Sequence, residues 1–335
     1  MTKKISSIEA FRFFFMLIIC IWHYNGPDGF LKHGYLCVDF FFILSGMLLY
    51  NTFCNKSVSI FDYTIRKIKK FFPEYFLCML LLYAGKFFNN KPFSFNEIYQ
   101  FISELLMLQA VGLWDNGMNW PTWYVSVLVY GGMLIYAILK YQKDLALKII
   151  FPIIILLGYT HIFSKTNHIE VWGNATIISY PLLRGICDMT LGVIIMTIHK
   201  SKLLFLNTKQ TILLDIISIL SLILFIKQLI DIQDKDSYSL IFISVILVSL
   251  FRNKSIYNII FKAPIWGKLG SITYEMLIVH VPCLGVLNII IKHIHLEDSM
   301  QFSVYLALVL IGASALKFFN NNILNKWLFP EQKRL

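Results

Sequence analysis

Charge is what this chain has least of. Only 15% of its 335 residues are Asp, Glu, Lys or Arg, where a soluble domain carries about 25%. Acids are scarcer than bases, 19 against 30, and the excess of +11 matters here through its distribution rather than through a nucleic-acid partner, which is not expected. Paired cysteines are missing as well. Cys20, Cys37, Cys54, Cys78, Cys187 and Cys283 are scattered through apolar runs without a CxxC, which reads as small hydrophobes in packed helices rather than a disulfide framework or metal site. No carboxylate–histidine run has zinc spacing, and His293 and His295 in KHIHLED read as a solvated pair. There is no P-loop, no GxGxxG and no haem motif, so no metal is expected. No internal repeat stands out, which argues against a transporter built from inverted halves. No small-residue cleavage site follows the first apolar run, so MTKKISSIEA leads into a retained span rather than a signal peptide.

What the chain has in abundance is apolar length. It is 57% hydrophobic and 16% aromatic, with a mean hydropathy of +0.66. The expectation is an all-α, polytopic membrane bundle forming one domain over 1–335. Apolar runs near the ~20 residues a bilayer needs fall at 8–25, 33–52, 71–88, 122–140, 148–163, 176–198, 210–230, 237–251, 267–291 and 300–319, ten in all, the eighth being short. With the N-terminus inside, 21 lysines and arginines lie in inner segments, and six (Lys32, Lys86, Lys91, Lys165, Lys235 and Lys292) lie in outer ones. By the positive-inside rule both termini are cytoplasmic.

Two connections carry more than punctuation. The inner stretch 53–70 ends in YTIRKIKKFFPEYF, with Pro73 as a breaker at the start of the third span. Its basic residues, Arg66 and Lys70 among them, serve either the positive-inside signal and anionic headgroups or a site for phosphates. The outer stretch 89–121 contains FNEIYQFISELLMLQAVGLW, periodic enough for an amphipathic or re-entrant helix, and is followed by Trp114, Trp120 and Trp123. Tryptophans there form an aromatic belt or a sugar-binding surface.

Inside the first span stand two residues that hydrocarbon disfavours, Arg12 and His23. Eleven residues at about 100° each make roughly three turns, so both emerge on one face, roughly 16 Å apart along the axis. Asp39, in the second span, needs a partner, and His23 is compatible in depth; such a pair would orient the imidazole as a general base. Ser45 and Gly46 lie deeper, where small residues also let helices approach. Arg184 has Asp188 one turn away, giving either an internal ion pair or a binding group. Tyr274, Glu275 and His280 share the ninth span, His280 as a packing residue or part of a donor tunnel.

The run from Glu9 through Arg12 to His23, followed by Val38, Asp39, Phe41, Phe42, Ser45 and Gly46 in VDFFFILSG, resembles the membrane acyltransferase-3 family, typified by bacterial O-acetyltransferases of lipopolysaccharide and other surface glycans. KKFFP at 69–73, PTWYVSVLVY at 121–130 and SITYEMLIVH at 271–280 resemble its later segments. Lys70, Leu128, Leu277 and Cys37 depart from its usual arginine, glutamate, tyrosine and glycine. The resemblance implies an O-acyltransferase of a bacterial inner membrane that takes an acyl, most simply acetyl, group from cytoplasmic acyl-CoA to a carbohydrate hydroxyl. It implies His23 and Asp39 as the catalytic pair, and Arg12, Arg66, Lys70, Ser45 and His280 on the donor. Trp123, Tyr124, Arg184 and Tyr274 would bind the acceptor. A glycan or solute transporter, or a scaffold of polysaccharide assembly, are the competing readings.

Overall fold

A segment in hydrocarbon must satisfy its backbone polar groups internally, which for isolated apolar runs of this length means helix. The computed structural model bears this out. It describes residues 5–26, 29–55, 58–88, 94–111, 117–175, 178–201, 207–231, 235–252 and 254–324. Among them there are α-helices and short 3-10 and π turns but no strand, only an isolated bridge between Asn174 and Ser179. Trp114 and eight of the counted basic residues (Lys3, Lys4, Lys56, Lys91, Lys202, Lys326, Lys333 and Arg334) lie outside the described residues.

Among the described residues, seven stretches are long and apolar enough to cross a bilayer, against the ten expected. One of them, Trp120–Phe163, holds two expected spans on either side of Gln142, whose φ of −141° and ψ of 52° break the helix. The expected eighth span is the 14-residue helix Ser237–Leu250. The third is not among the seven. Pro73 does not begin a helix but lies inside one that starts at Ile60 and runs 29 residues. Prolines are tolerated this way in membrane helices because neighbouring groups satisfy the carbonyl that loses its donor.

The chain divides into two compact units. The first comprises Met1–Thr64 and Val127–Gly270. It contains α1 (Ser6–Asn25), α2 (Cys37–Asn55), the start of α3 (Ile60–Phe88) and most of α5 (Trp123–Leu145). It goes on with α6 (Phe151–Phe163), α7 (Tyr180–Lys200), α8 (Thr208–Ile230), α9 (Ser237–Leu250), α10 (Ile256–Ile260) and α11 (Ile265–Gly270). Its centre is the crossing of α2 and α7. Gly46 lies against the backbone of Met189, and Gly192 against the carbonyl of Ile43. Small residues are what bring membrane helices this close, because packing rather than water drives their association. Replacing Gly46 with alanine would put a Cβ 2.8 Å from the Met189 Cα. Backbone cannot swing aside, so the expected cost is about 1–3 kcal/mol. A fall of several degrees in the melting temperature of the detergent-purified protein checks it; an unchanged value would show that the helices part freely.

α1 is held against α2 and α11 by aromatic contacts. Phe15 meets Phe40 edge-on with centroids 4.7 Å apart, and Phe14 meets Trp266 at 5.3 Å. Gly270 lets α11 seat directly on Glu9. α8 turns Ile212, Leu213, Ile216, Leu220 and Ile223 outward, the face of a helix that lipid rather than protein covers.

The second unit comprises Ile65–Ser126 and Ser271–Leu335. It contains the rest of α3, α4 (Phe95–Leu105), α12 (Thr273–His293) and α13 (Asp298–Phe319), the last two packed together. The expected ninth span thus starts at Thr273, separated from α11 by a turn at 271–272. α4 is a helix within the stretch where one was expected, and it begins with a capping box between Ser94 and Glu97. All six cysteines are free thiols, and only Cys54 is exposed.

Candidate functional site

In the first unit α1 runs unbroken from Ser6 to Asn25, so the eleven-residue register of Arg12 and His23 holds as a straight helical spacing. Both side chains are half-buried. Glu9, one turn before Arg12, takes its Nη1 on both carboxylate oxygens at 3.0 Å. This buried glutamate neutralises Arg12 in part and fixes its direction. His23 sits in the last turn of α1, its ring 4.5 Å from that of Trp22.

Asp39 is placed differently from the expectation. It lies in the first turn of α2, after the 3-10 turn Gly34–Leu36, and is wholly buried. Its partner is not His23 but Arg184 on α7. Nε donates to Oδ1 at 2.7 Å and Nη2 to Oδ2 at 3.0 Å, and Nη2 also donates to the Tyr35 carbonyl at 3.0 Å. A planar guanidinium fork matches a carboxylate edge-on, which an imidazole cannot do, and the close α2–α7 crossing brings the fork within reach. Arg184 therefore reaches across to α2 rather than down its own helix. Asp188, the i+4 partner expected for it, instead accepts from the Tyr159 hydroxyl at 2.5 Å. Ser45 is half-buried beside Gly46 at the crossing.

The remaining expected residues belong to the second unit. Arg66 and Lys70 are exposed on α3, Lys70 with its ammonium 5.1 Å from the Phe71 ring centroid. Tyr274 is tied down: its hydroxyl donates to the Phe71 carbonyl at 2.6 Å. Glu275 has its partner in Lys317 of α13 at 3.5 Å. His280 is fully buried, and Nδ1–H donates back to the Leu277 carbonyl at 2.8 Å. Only the Nδ1-protonated form can make that bond, so the ring's tautomer is set. Trp123 is buried rather than displayed as part of a belt, with the Tyr124 ring 6.5 Å away.

One group in this unit gave no signal in the sequence. Glu104, at the end of α4, is buried and accepts from the Tyr83 hydroxyl at 2.6 Å, while its carbonyl accepts from Tyr75 at 2.6 Å. Burial pushes its carboxyl up, and Tyr83 with the Asn119 and Met118 backbone pull it back only in part. Gln109 and Asn119 extend the same web to Thr122 and the Ile278 carbonyl. The web anchors the loop ahead of Trp123, and no periodic pattern announces it.

The family model described as Acyltransferase domain matches residues 5–318, so it spans both units. No curated protein and no solved structure matches the chain. The helical, apolar architecture agrees with that match over nearly the whole length. The chain belongs to the acyltransferase-3 family and is a multi-pass membrane acyltransferase.

Proposed function

We propose that the enzyme moves an acyl group, most simply acetyl, from acyl-CoA to a hydroxyl of a surface polysaccharide or lipid-linked glycan, from within the cytoplasmic membrane of a bacterium. The observation that carries this is the unbroken α1, with Arg12 in its N-terminal half and His23 in its last turn. Arginine suits the phosphates of CoA because its fork pairs with phosphate oxygens. The roughly 16 Å between the two side chains is of the order spanned by a pantetheine arm. Held so, the donor's thioester would lie beside His23.

The chemistry then needs one base. His23 takes the proton of the acceptor hydroxyl as its oxygen attacks the thioester carbonyl. Collapse of the tetrahedral intermediate breaks the carbon–sulfur bond, and the departing CoA sulfur recovers that proton from the imidazolium. Imidazole suits both halves because it changes charge near neutrality. Ser45 on α2 could contact the donor in the same unit. Arg66, Lys70, His280, Trp123, Tyr124 and Tyr274 belong to the second unit.

Mass spectrometry of the surface glycan from cells with and without the gene tests the proposal. The expected result is loss of a mass increment of one acyl group from an otherwise intact polymer. Loss of the whole polymer would point to export or scaffolding instead.

A further inference from the structure

In the first unit, three connections that are far apart in sequence converge. His33 precedes α2, His168 lies between α6 and α7, and Asp236 immediately precedes α9. One donor atom from each lies within 4.8 Å of the others. Between them stands the Tyr35 hydroxyl, 2.8 Å from His33 Nδ1, 2.9 Å from Asp236 Oδ2 and 3.5 Å from His168 Nδ1. His33 Nδ1 is 3.6 Å from Asp236 Oδ1, and His168 Nδ1 is 3.5 Å from Oδ2.

Hydrogen bonds account for only part of this arrangement. Asp236 Oδ2 is satisfied by Tyr35 and by the Ile169 N–H at 2.7 Å. Oδ1 is buried in a fully buried residue and has no hydrogen-bond partner among the described residues. Its neighbour at 3.6 Å is too far for one. A carboxylate oxygen left bare in the interior is costly, and a cation bound beside it would remove that cost.

We infer that His33, His168 and Asp236 form a binding site for a divalent transition-metal ion, zinc first among them, with the Tyr35 hydroxyl at its fourth corner. Zinc takes imidazole nitrogen and carboxylate oxygen at about 2.0–2.2 Å in tetrahedral geometry, which puts neighbouring donors about 3.3–3.6 Å apart. The separations here, from 2.8 Å up to the 4.8 Å within which the three donors lie, bracket that edge. Two imidazoles and one carboxylate are zinc's ligand chemistry, whereas calcium and magnesium want oxygens. His33 and Asp236 are buried while the His168 side chain is 46% exposed, so the ion has both an enclosed seat and an entrance. The ion's role is a clip. It joins three connections at one lip of the unit and holds Tyr35, whose carbonyl receives Arg184.

The test uses the full chain, purified in detergent with a tag lacking histidine. Metal analysis should find one zinc per chain. After chelation, added zinc chloride should raise the melting temperature by several degrees, and magnesium chloride should not. His168→Ala, at an exposed position, should weaken zinc binding at least tenfold. Asp236→Asn, which can still accept from Ile169 and Tyr35, should do the same. His293→Ala with His295→Ala should bind zinc as the parent does. Substoichiometric metal with no zinc-dependent shift would overturn the inference, as would unchanged zinc affinity in both His168→Ala and Asp236→Asn.

Discussion

His23→Ala should lower the rate of acyl transfer by about 10²–10⁴-fold, the usual worth of a positioned general base, while the protein still inserts and accumulates normally. The asymmetry follows from where the residue stands. It is half-buried in the last turn of α1, so truncation removes little packing and leaves the helix itself intact. Contacts deeper in the helix, Phe11 with Tyr257 and Phe15 with Phe40, hold α1 in place. His23→Gln separates two roles the ring could play. Glutamine keeps a polar tip of similar reach but cannot shuttle a proton, so it should fall as far as alanine if the imidazole is the base. Near-parental activity in His23→Gln would leave His23 only a hydrogen-bonding part, and parental activity in His23→Ala would remove it from the chemistry. The assay is acyl release from acyl-CoA by purified enzyme with glycan acceptor, normalised to folded protein.

Much of the fold could be read along the chain because hydrophobic length and helical period are local properties. α1 and α7 fall within a few residues of the expected limits. α4 was visible through its periodicity, and its capping box shows why it starts at Phe95. Helix partners were not visible. Asp39 and Arg184 are 145 residues apart, and what joins them is the contact of Gly46 with Met189 and Gly192 with Ile43. A small residue in the sequence permits close approach without saying to what. The same limit hid Lys317 as the partner of Glu275 and the web around Glu104. It also hid His33, His168 and Asp236, since metal motifs are recognised by short spacings and these donors come from three connections. Pro73 misled for another reason: the rule that proline ends helices is drawn from water, where nothing obliges the chain to continue.

The Asp39–Arg184 pair carries the second large effect. Asp39→Ala would leave a guanidinium that is 3% exposed without its countercharge. Breaking a buried pair from one side costs about 3–5 kcal/mol, because the surviving charge keeps its desolvation penalty and loses its compensation. Arg184→Leu strands Asp39 in the same way, and Asp188 one turn along cannot relieve it, since it is a second carboxylate in the same interior. Arg184 in Asp39→Ala is better off: Asp188 is one turn away on its own helix and could turn to it from Tyr159, so this variant should be the milder of the two. The double variant Asp39→Leu with Arg184→Met removes both charges with roughly conserved volume, and replacing a buried pair this way is often neutral or stabilising. Melting temperatures of the four proteins should therefore rank the parent and the double variant together, then Asp39→Ala, then Arg184→Leu. The double variant also decides what Asp39 is for. If it folds and still transfers acyl groups, Asp39 is a clamp between α2 and α7, and His23 works without it. If it folds but is inactive, the pair contributes to the reaction despite lacking a contact with His23, and the orienting role first expected of Asp39 passes to Asp39 and Arg184 together.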